Sequence, residues 1–130
     1  MVIDTSALVA ILLDEPERAD LVAAIGAAGG KYLSVASFVE TSIVLLARYG
    51  PEAVRHLDRF LDRAGIDVEP ISVAQGHVAR DAYERFGKGR HAAGLNFGDC
   101  FAYALAMERD EPLLFKGDDF TRTDVVPFPR

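Results

Sequence analysis

Asp4, Glu40, Asp99 and the pair Asp118-Asp119 are carboxylates placed just after short apolar runs or near the starts of helical patterns, where a folded chain can bring acids together. Carboxylates gathered without basic partners repel one another, so such a cluster either keeps protons or holds a cation. No HxxxH or CxxC spacing occurs anywhere, and the ligands on offer are oxygens, which favours a hard ion, Mg²⁺ or Mn²⁺, over zinc. Hard ions held by carboxylates act most often on phosphates. Such a site can activate a water and neutralise charge on a leaving oxygen, which is the chemistry of phosphodiester hydrolysis.

Each acid also has a plainer reading. Asp4 is a good N-cap for a helix beginning near Ser6. Ser37-Phe38-Val39-Glu40 has the spacing of a capping box. Against that, Phe38, Val39, Ile43, Val44, Leu45 and Leu46 make the helix apolar almost all round, so its glutamate is expected to face an internal cleft. Asn96 caps the helix that follows and puts Asp99 at its third position, where a carboxylate completes a capping box and suits the helix dipole. Phe97, Phe101, Ala104 and Leu105 predict the core face of that helix, with Asp99 at its exposed mouth. Asp118 and Asp119 can be a simple turn; only one of two consecutive side chains can point into a cleft, and geometry does not say which. His56, His77 and His91 read as surface or loop residues. Gly87 to His91, with Arg85, is the one concentrated basic patch and leads straight into the Asp99 helix, so Arg90 and the adjacent Asn96 are candidate contacts for substrate.

The elements that must position these residues alternate. Val2-Ile3 is a strand, Ala7 to Leu13 a helix, and Pro16 opens a second helix to about Ala28. Tyr32 to Val35 is a strand; a helix opened by Ser34 or Ser37 runs to Tyr49 and stops at Gly50-Pro51. Helical spacing continues from Glu52 to Ala64, Ile66 to Ile71 is a third strand, and Val73 to Phe86 is an amphipathic helix. Leu113 to Phe115 is a fourth strand, and Val125 to Pro127 a short edge strand. Short apolar strands alternating with helices imply crossovers, a parallel sheet and helices on both faces, with the site beyond the carboxyl ends of the strands.

Half of the 130 residues are hydrophobic, enough for one domain with its own core. A net charge of −6 argues against gripping nucleic acid through a general positive field, though not against binding phosphates through a metal. The single Cys100 excludes an internal disulfide and is expected to be buried in a reducing cytoplasm. Ala7 to Leu13 is too short to span a bilayer and no basic segment precedes it, so no membrane association or export is expected.

VIDTSALVAILLDEP, SFVET, GKGRHAAGLNFGDCFAYALA and PLLFKGDDF, in this order and spacing, resemble the VapC toxins, ribonucleases of the PIN-domain family, over essentially the whole chain. The resemblance implies a single α/β domain over residues 1–130, a three-layer α/β/α PIN-like fold with a mostly parallel sheet of four to five strands. It implies an Mg²⁺- or Mn²⁺-dependent endoribonuclease, the toxin of a type II toxin–antitoxin pair, forming a homodimer and inhibited by a cognate VapB-type antitoxin. Asp4, Glu40 and Asp99 then become the core acids, with a fourth from Asp118 or Asp119; the resemblance favours Asp119, because the DF pair persists in such relatives. Thr5 and Ser6 match the small hydroxyl positions used beside the first acid. Phe115 departs from the pattern, standing where many relatives carry Thr or Ser, so a polar contact is expected to be lacking there. The rival from another class is a doubly wound phosphoacceptor module. Lys116 suits it, but Asp4 has no acidic neighbour, and an acid leading a helix is foreign to that pattern. A non-catalytic RNA-binding domain fits poorly with the acidity.

Overall fold

The strands are two or three residues long, and this suffices because the central ones are covered on both faces. A computed structural model describes residues 1–130. β1 (Val2–Ile3), β2 (Tyr32–Ser34), β3 (Asp67–Glu69) and β4 (Leu113–Leu114) form one parallel sheet in the order β3-β2-β1-β4. Each crossover carries two helices: α1 (Thr5–Leu12) and α2 (Arg18–Ala27), α3 (Val35–Tyr49) and α4 (Pro51–Ala64), then α5 (Val73–Phe86) and α6 (Phe97–Arg109).

Because side chains alternate along a strand, β1 sends Ile3 to one face and Val2 to the other. Ile3 joins Leu8, Ile11, Leu21, Leu33, Leu57 and Leu114 in a core built with α1 to α4. Val2 joins Leu105, Leu113, Phe115 and Phe120 in a second core built with α5 and α6. The result is three layers, helices on sheet on helices, with a sheet of four strands. No helix is long and apolar enough to cross a membrane.

The parallel arrangement brings every strand's carboxyl end to one edge of the molecule. β1 runs into α1 through the single residue Asp4, whose N–H donates to Leu114 O at 2.9 Å. β2 likewise ends in Ser34, which caps α3 by accepting from Ala36 N. Ser37 therefore lies inside the helix, and the capping box between Ser37 and Glu40 does not form.

Besides shifts of one or two residues at the ends of α1, β2 and β4, three boundaries differ from the sequence pattern. Pro16 sits in the turn before α2, whose N-cap is Glu17, because the chain must reverse after α1 before it can coil again. β3 shrinks to three residues at the edge of the sheet, where it pairs on one side only and Pro70 withholds a donor. Val125 to Pro127 forms one isolated bridge, Leu113 with Pro127, instead of a fifth strand, since prolines at 127 and 129 interrupt the ladder.

Ile3, fully buried in the central strand, sets the stability of the sheet. Ile3→Ala should lower unfolding free energy by about 2–5 kcal/mol, and Val126→Ala, at an exposed position, by less than ~0.5 kcal/mol, both read from urea unfolding.

Candidate active site

Asp4 is 3% exposed, and its Oδ2 accepts from Ser6 N at 3.0 Å and from Ser6 Oγ at 2.6 Å. The Ser6 hydroxyl in turn accepts from Lys116 N at 3.0 Å, so one side chain fastens the acid after β1 to the backbone after β4. Burial pushes the Asp4 carboxyl up to about 6, with the Glu40 charge adding to it and the Ser6 bonds opposing it.

Asp99 is 8% exposed and closes a capping box: Asn96 N donates to its Oδ2 at 3.0 Å, and Asp99 N donates to Asn96 Oδ1 at 2.9 Å. The plain helix-capping reading of this acid is therefore structurally true, and it is incomplete. Burial pushes Asp99 up to about 7, with Asp4, Asp119 and Glu40 raising it further. A cap needs no such company. Both aspartates share a design in which Oδ2 is held by the chain's own donors and Oδ1 makes no hydrogen bond within it.

Glu40 lies well inside α3, half-buried and free of hydrogen bonds to the chain. Its carboxylate rests against Gly98, where an added Cβ would run into both carboxylate oxygens. Gly98 thus leaves the space that seats Glu40 one residue away from Asp99. The sequence reading missed this residue, although a glycine in the first helical turn beside an acid was a visible signal.

Asp118 and Asp119 are exposed in the turn after Phe115, and Phe115 packs on Phe120 at 5.2 Å between ring centres to anchor it. Asp119 is among the charges that raise Asp99; Asp118 is not, and its carbonyl is occupied by Thr121 N and Oγ1. Phe115 itself offers no polar contact, and the Ser6 hydroxyl holds the neighbouring backbone N–H instead.

Several expected roles change. Asp99 is buried within the α6 face that packs on the sheet, not set at an exposed mouth, because that face runs from Asp99 through Ala106. Phe97, expected in the core, is 77% exposed at the outer edge of the first turn and stacks edge-on against Phe101. Thr5 is buried and donates to Ser37 O, which also accepts from Thr41 Oγ1, so it ties α1 to α3. Ser37 Oγ, 1% exposed, has no partner in the chain. Arg85 is drawn out of the basic patch by Asp124 at 3.3 Å and the Tyr103 hydroxyl, leaving Lys88 and Arg90 exposed and unpaired with any carboxylate. Lys116 Nζ is held by Glu15 at 3.0 Å and Glu17 at 3.3 Å, which removes the lysine that a phosphoacceptor reading needs. His91 Nδ1 accepts from Ala93 N and its ring edge meets Phe86, fixing the loop; His56 and His77 are exposed. Cys100 is buried as expected, its thiol pushed up to about 11 by burial and by the Asp99 charge.

None of the four acids Asp4, Glu40, Asp99 and Asp119 is paired with a lysine or arginine. They are neighbours and not a closed ligand set, for no three of them already stand as a formed metal-binding group. Their donor set fits a hard divalent cation: all-oxygen, two buried carboxylates each with an open oxygen, and Glu40 seated where Gly98 leaves room.

Comparison with known proteins shows the family and the fold. Residues 1–126 match the family described as PIN domain. Ribonuclease VapC30 of Mycobacterium tuberculosis is 51% identical over 126 residues, spanning 97% of this chain and 96% of its own. Among solved structures, VapC20 of Mycobacterium tuberculosis, described as a sarcin-ricin loop cleaving toxin, superposes with a TM-score of 0.79 at 16% identity over 96% of this chain and 95% of that one. A toxin–antitoxin complex from Klebsiella pneumoniae gives 0.72 at 14% identity over 99% and 97%. At these identities the two structures speak for the fold.

The buried carboxylates fix the pH dependence of stability. With folded pKa values near 6 and 7 against an ordinary 3.8, the native state holds protons that the unfolded chain has released, so their contribution is present below about pH 4 and lost as pH rises through 6 and 7. Melting in the presence of a chelator should therefore fall from pH 5 to pH 8. Millimolar Mg²⁺ or Mn²⁺ should restore roughly 1 to 3 kcal/mol at pH 8 and much less at pH 5, with a smaller response in Asp99→Asn. A melting curve indifferent to both pH and cation would contradict this.

Gly98→Ala separates seating from folding. The new methyl meets the far end of a flexible side chain, so stability should change by less than about 1 kcal/mol, while the displaced Glu40 weakens the cation-dependent rise in melting temperature.

Proposed function

Since the chain belongs to the PIN-domain family, with the VapC ribonucleases among its relatives, we propose that it is the toxin of a type II toxin–antitoxin pair and hydrolyses RNA phosphodiester bonds as a metal-dependent endoribonuclease. The observation that supports this most directly is the pair Asp4 and Asp99, buried, unpaired with any cation of the chain, and each presenting one open oxygen.

In this reading Asp4, Asp99 and Asp119 hold Mg²⁺ or Mn²⁺. When bound, the ion supplies Lewis acidity toward water and toward the leaving oxygen of the phosphate. The chain's own residues do the positioning. Ser6 orients the Asp4 carboxylate and Asn96 that of Asp99, so neither has to be ordered when substrate arrives. Glu40, the half-buried acid without an anchoring bond, is the group free to take a proton from attacking water on Oε1 or Oε2. Lys88 and Arg90, exposed beside the α6 helix start, meet flanking phosphates, which reconciles RNA binding with a net charge of −6.

The α3 face carrying Val39, Ile43 and Leu46 at helical spacing is exposed and apolar, and a second copy of the chain is its proposed occupant. A cognate antitoxin of the VapB type would silence the site by placing an arginine or lysine among the acids in place of the metal. A cytoplasmic location is part of the same proposal, supported by the antitoxin-type partner and by the single buried free cysteine Cys100.

RNA cleavage by purified protein with Mg²⁺ or Mn²⁺ tests the reading. Asp4→Asn and Asp99→Asn change charge at nearly constant volume and should each cut the rate on the order of 100-fold or more while leaving the circular dichroism unchanged. Asp119→Asn should lose more activity than Asp118→Asn. Full activity in both Asp4→Asn and Asp99→Asn would overturn the assignment.

A further inference from the structure

A second cleft, about 470 Å³, opens between α5 and the first turn of α6. Its α5 wall is formed by Gly76, Arg80 and Tyr83, which follow one another at i, i+4 and i+7. Asn96, Phe97 and Phe101 form the facing wall.

Folding alone does not account for this surface. Phe97 and Tyr83 hold aromatic faces in water, 77% and 40% exposed. Gly76 stands in the middle of a helix, where it costs about 1 kcal/mol relative to alanine, and an added Cβ would meet nothing within 4 Å. Packing therefore does not require the glycine; its effect is to keep the wall clear. Arg80, whose guanidinium donates to His77 Nδ1 at 3.2 Å, and Lys88 stand at the rim, and neither is paired with a carboxylate, in a chain whose net charge is −6. An apolar, aromatic slot rimmed by cations without carboxylate partners is complementary to a nucleobase with its phosphates.

Asn96 joins the cleft to the reacting centre. Its Oδ1 accepts from Asp99 N and its own N–H donates to Asp99 Oδ2, while its Nδ2 makes no hydrogen bond within the chain. A group bound against Asn96 is thus one hydrogen bond away from a catalytic acid.

We propose that this cleft receives one unstacked base of single-stranded RNA next to the bond that is cut, stacked against Phe97 and Tyr83, with an edge toward Asn96 Nδ2 and flanking phosphates on Arg80 and Lys88. The proposal rests on the ribonuclease reading and adds a base-binding subsite to it. Bases in a duplex are already stacked and cannot enter, so an unlabelled duplex should not occupy the cleft.

The test uses the full-length Asp4→Asn protein, which binds without cutting, and oligoribonucleotides carrying 2-aminopurine or pyrrolocytosine at successive positions. One position should show saturable quenching that an unlabelled duplex does not compete away. Phe97→Ala and Tyr83→Ala should each abolish the quenching and weaken binding roughly 5- to 100-fold. Phe97→Tyr should retain both, and when the same three substitutions are made in the protein with Asp4 intact, the rise in melting temperature with Mn²⁺ should persist. Binding and quenching unchanged in both alanine variants would overturn the proposal, as would a shift from dimer to monomer without RNA, which would assign the cleft to a second copy. If wild-type protein cuts no RNA, the ribonuclease reading falls too; if it cuts RNA and the variants bind like their parent, only the base cleft falls.

Discussion

Two carboxylates are taken out of water at one edge of a parallel sheet with no lysine or arginine set against either, and the rest of the molecule accommodates that constraint. Asp4 and Asp99 are among the few buried polar residues, and burial raises both toward neutrality. A buried acid of this kind is tolerated only where donors satisfy part of it. Here the chain supplies those donors locally, from Ser6 and from the Asn96 backbone, on one oxygen of each side chain. The other oxygens are left for something the chain does not contain.

The fold makes that arrangement possible cheaply. Because β1 passes into α1 through one residue, the same side chain serves as helix cap and site acid, and the same holds for Asp99 in its capping box. A helix start already presents unsatisfied N–H groups, so each acid is anchored without a dedicated loop. Pairing of β1 with β4 then brings Lys116 N onto the Ser6 hydroxyl, and packing of α3 beside α6 brings Glu40 against Gly98. Four distant segments meet because all four strands end at one edge.

Charge is distributed to the same end. Cations near the acidic site are committed elsewhere: Arg85 to Asp124, Lys116 to Glu15 and Glu17. Lys88, Arg90 and Arg80 remain outside it, around the start of α6. An acidic protein can in this way hold a metal inside and phosphates at the rim without either neutralising the other.

Local signals were legible because they act over three or four residues. Asn96 followed by Asp99, Asp4 before a helical run, Gly50-Pro51 and the helical spacing of Val73 to Phe86 each encode their structure in adjacent positions, and the alternation of short strands with helices fixed the parallel topology. The acids themselves could be named from residue type, and the likeness to VapC toxins followed from the order of short segments. Tertiary structure alone decided which face of α6 is covered, turning Asp99 inward and Phe97 outward. It also decided that Ser34 and not Ser37 caps α3, that Glu40 needs Gly98, that Thr5 serves α3, and that Arg85 is spent on Asp124. Thr5 and Ser37, Arg85 and Asp124, and Glu40 and Gly98 lie from about thirty to sixty residues apart, and no spacing rule links residues that meet only when the strands between them have been laid side by side.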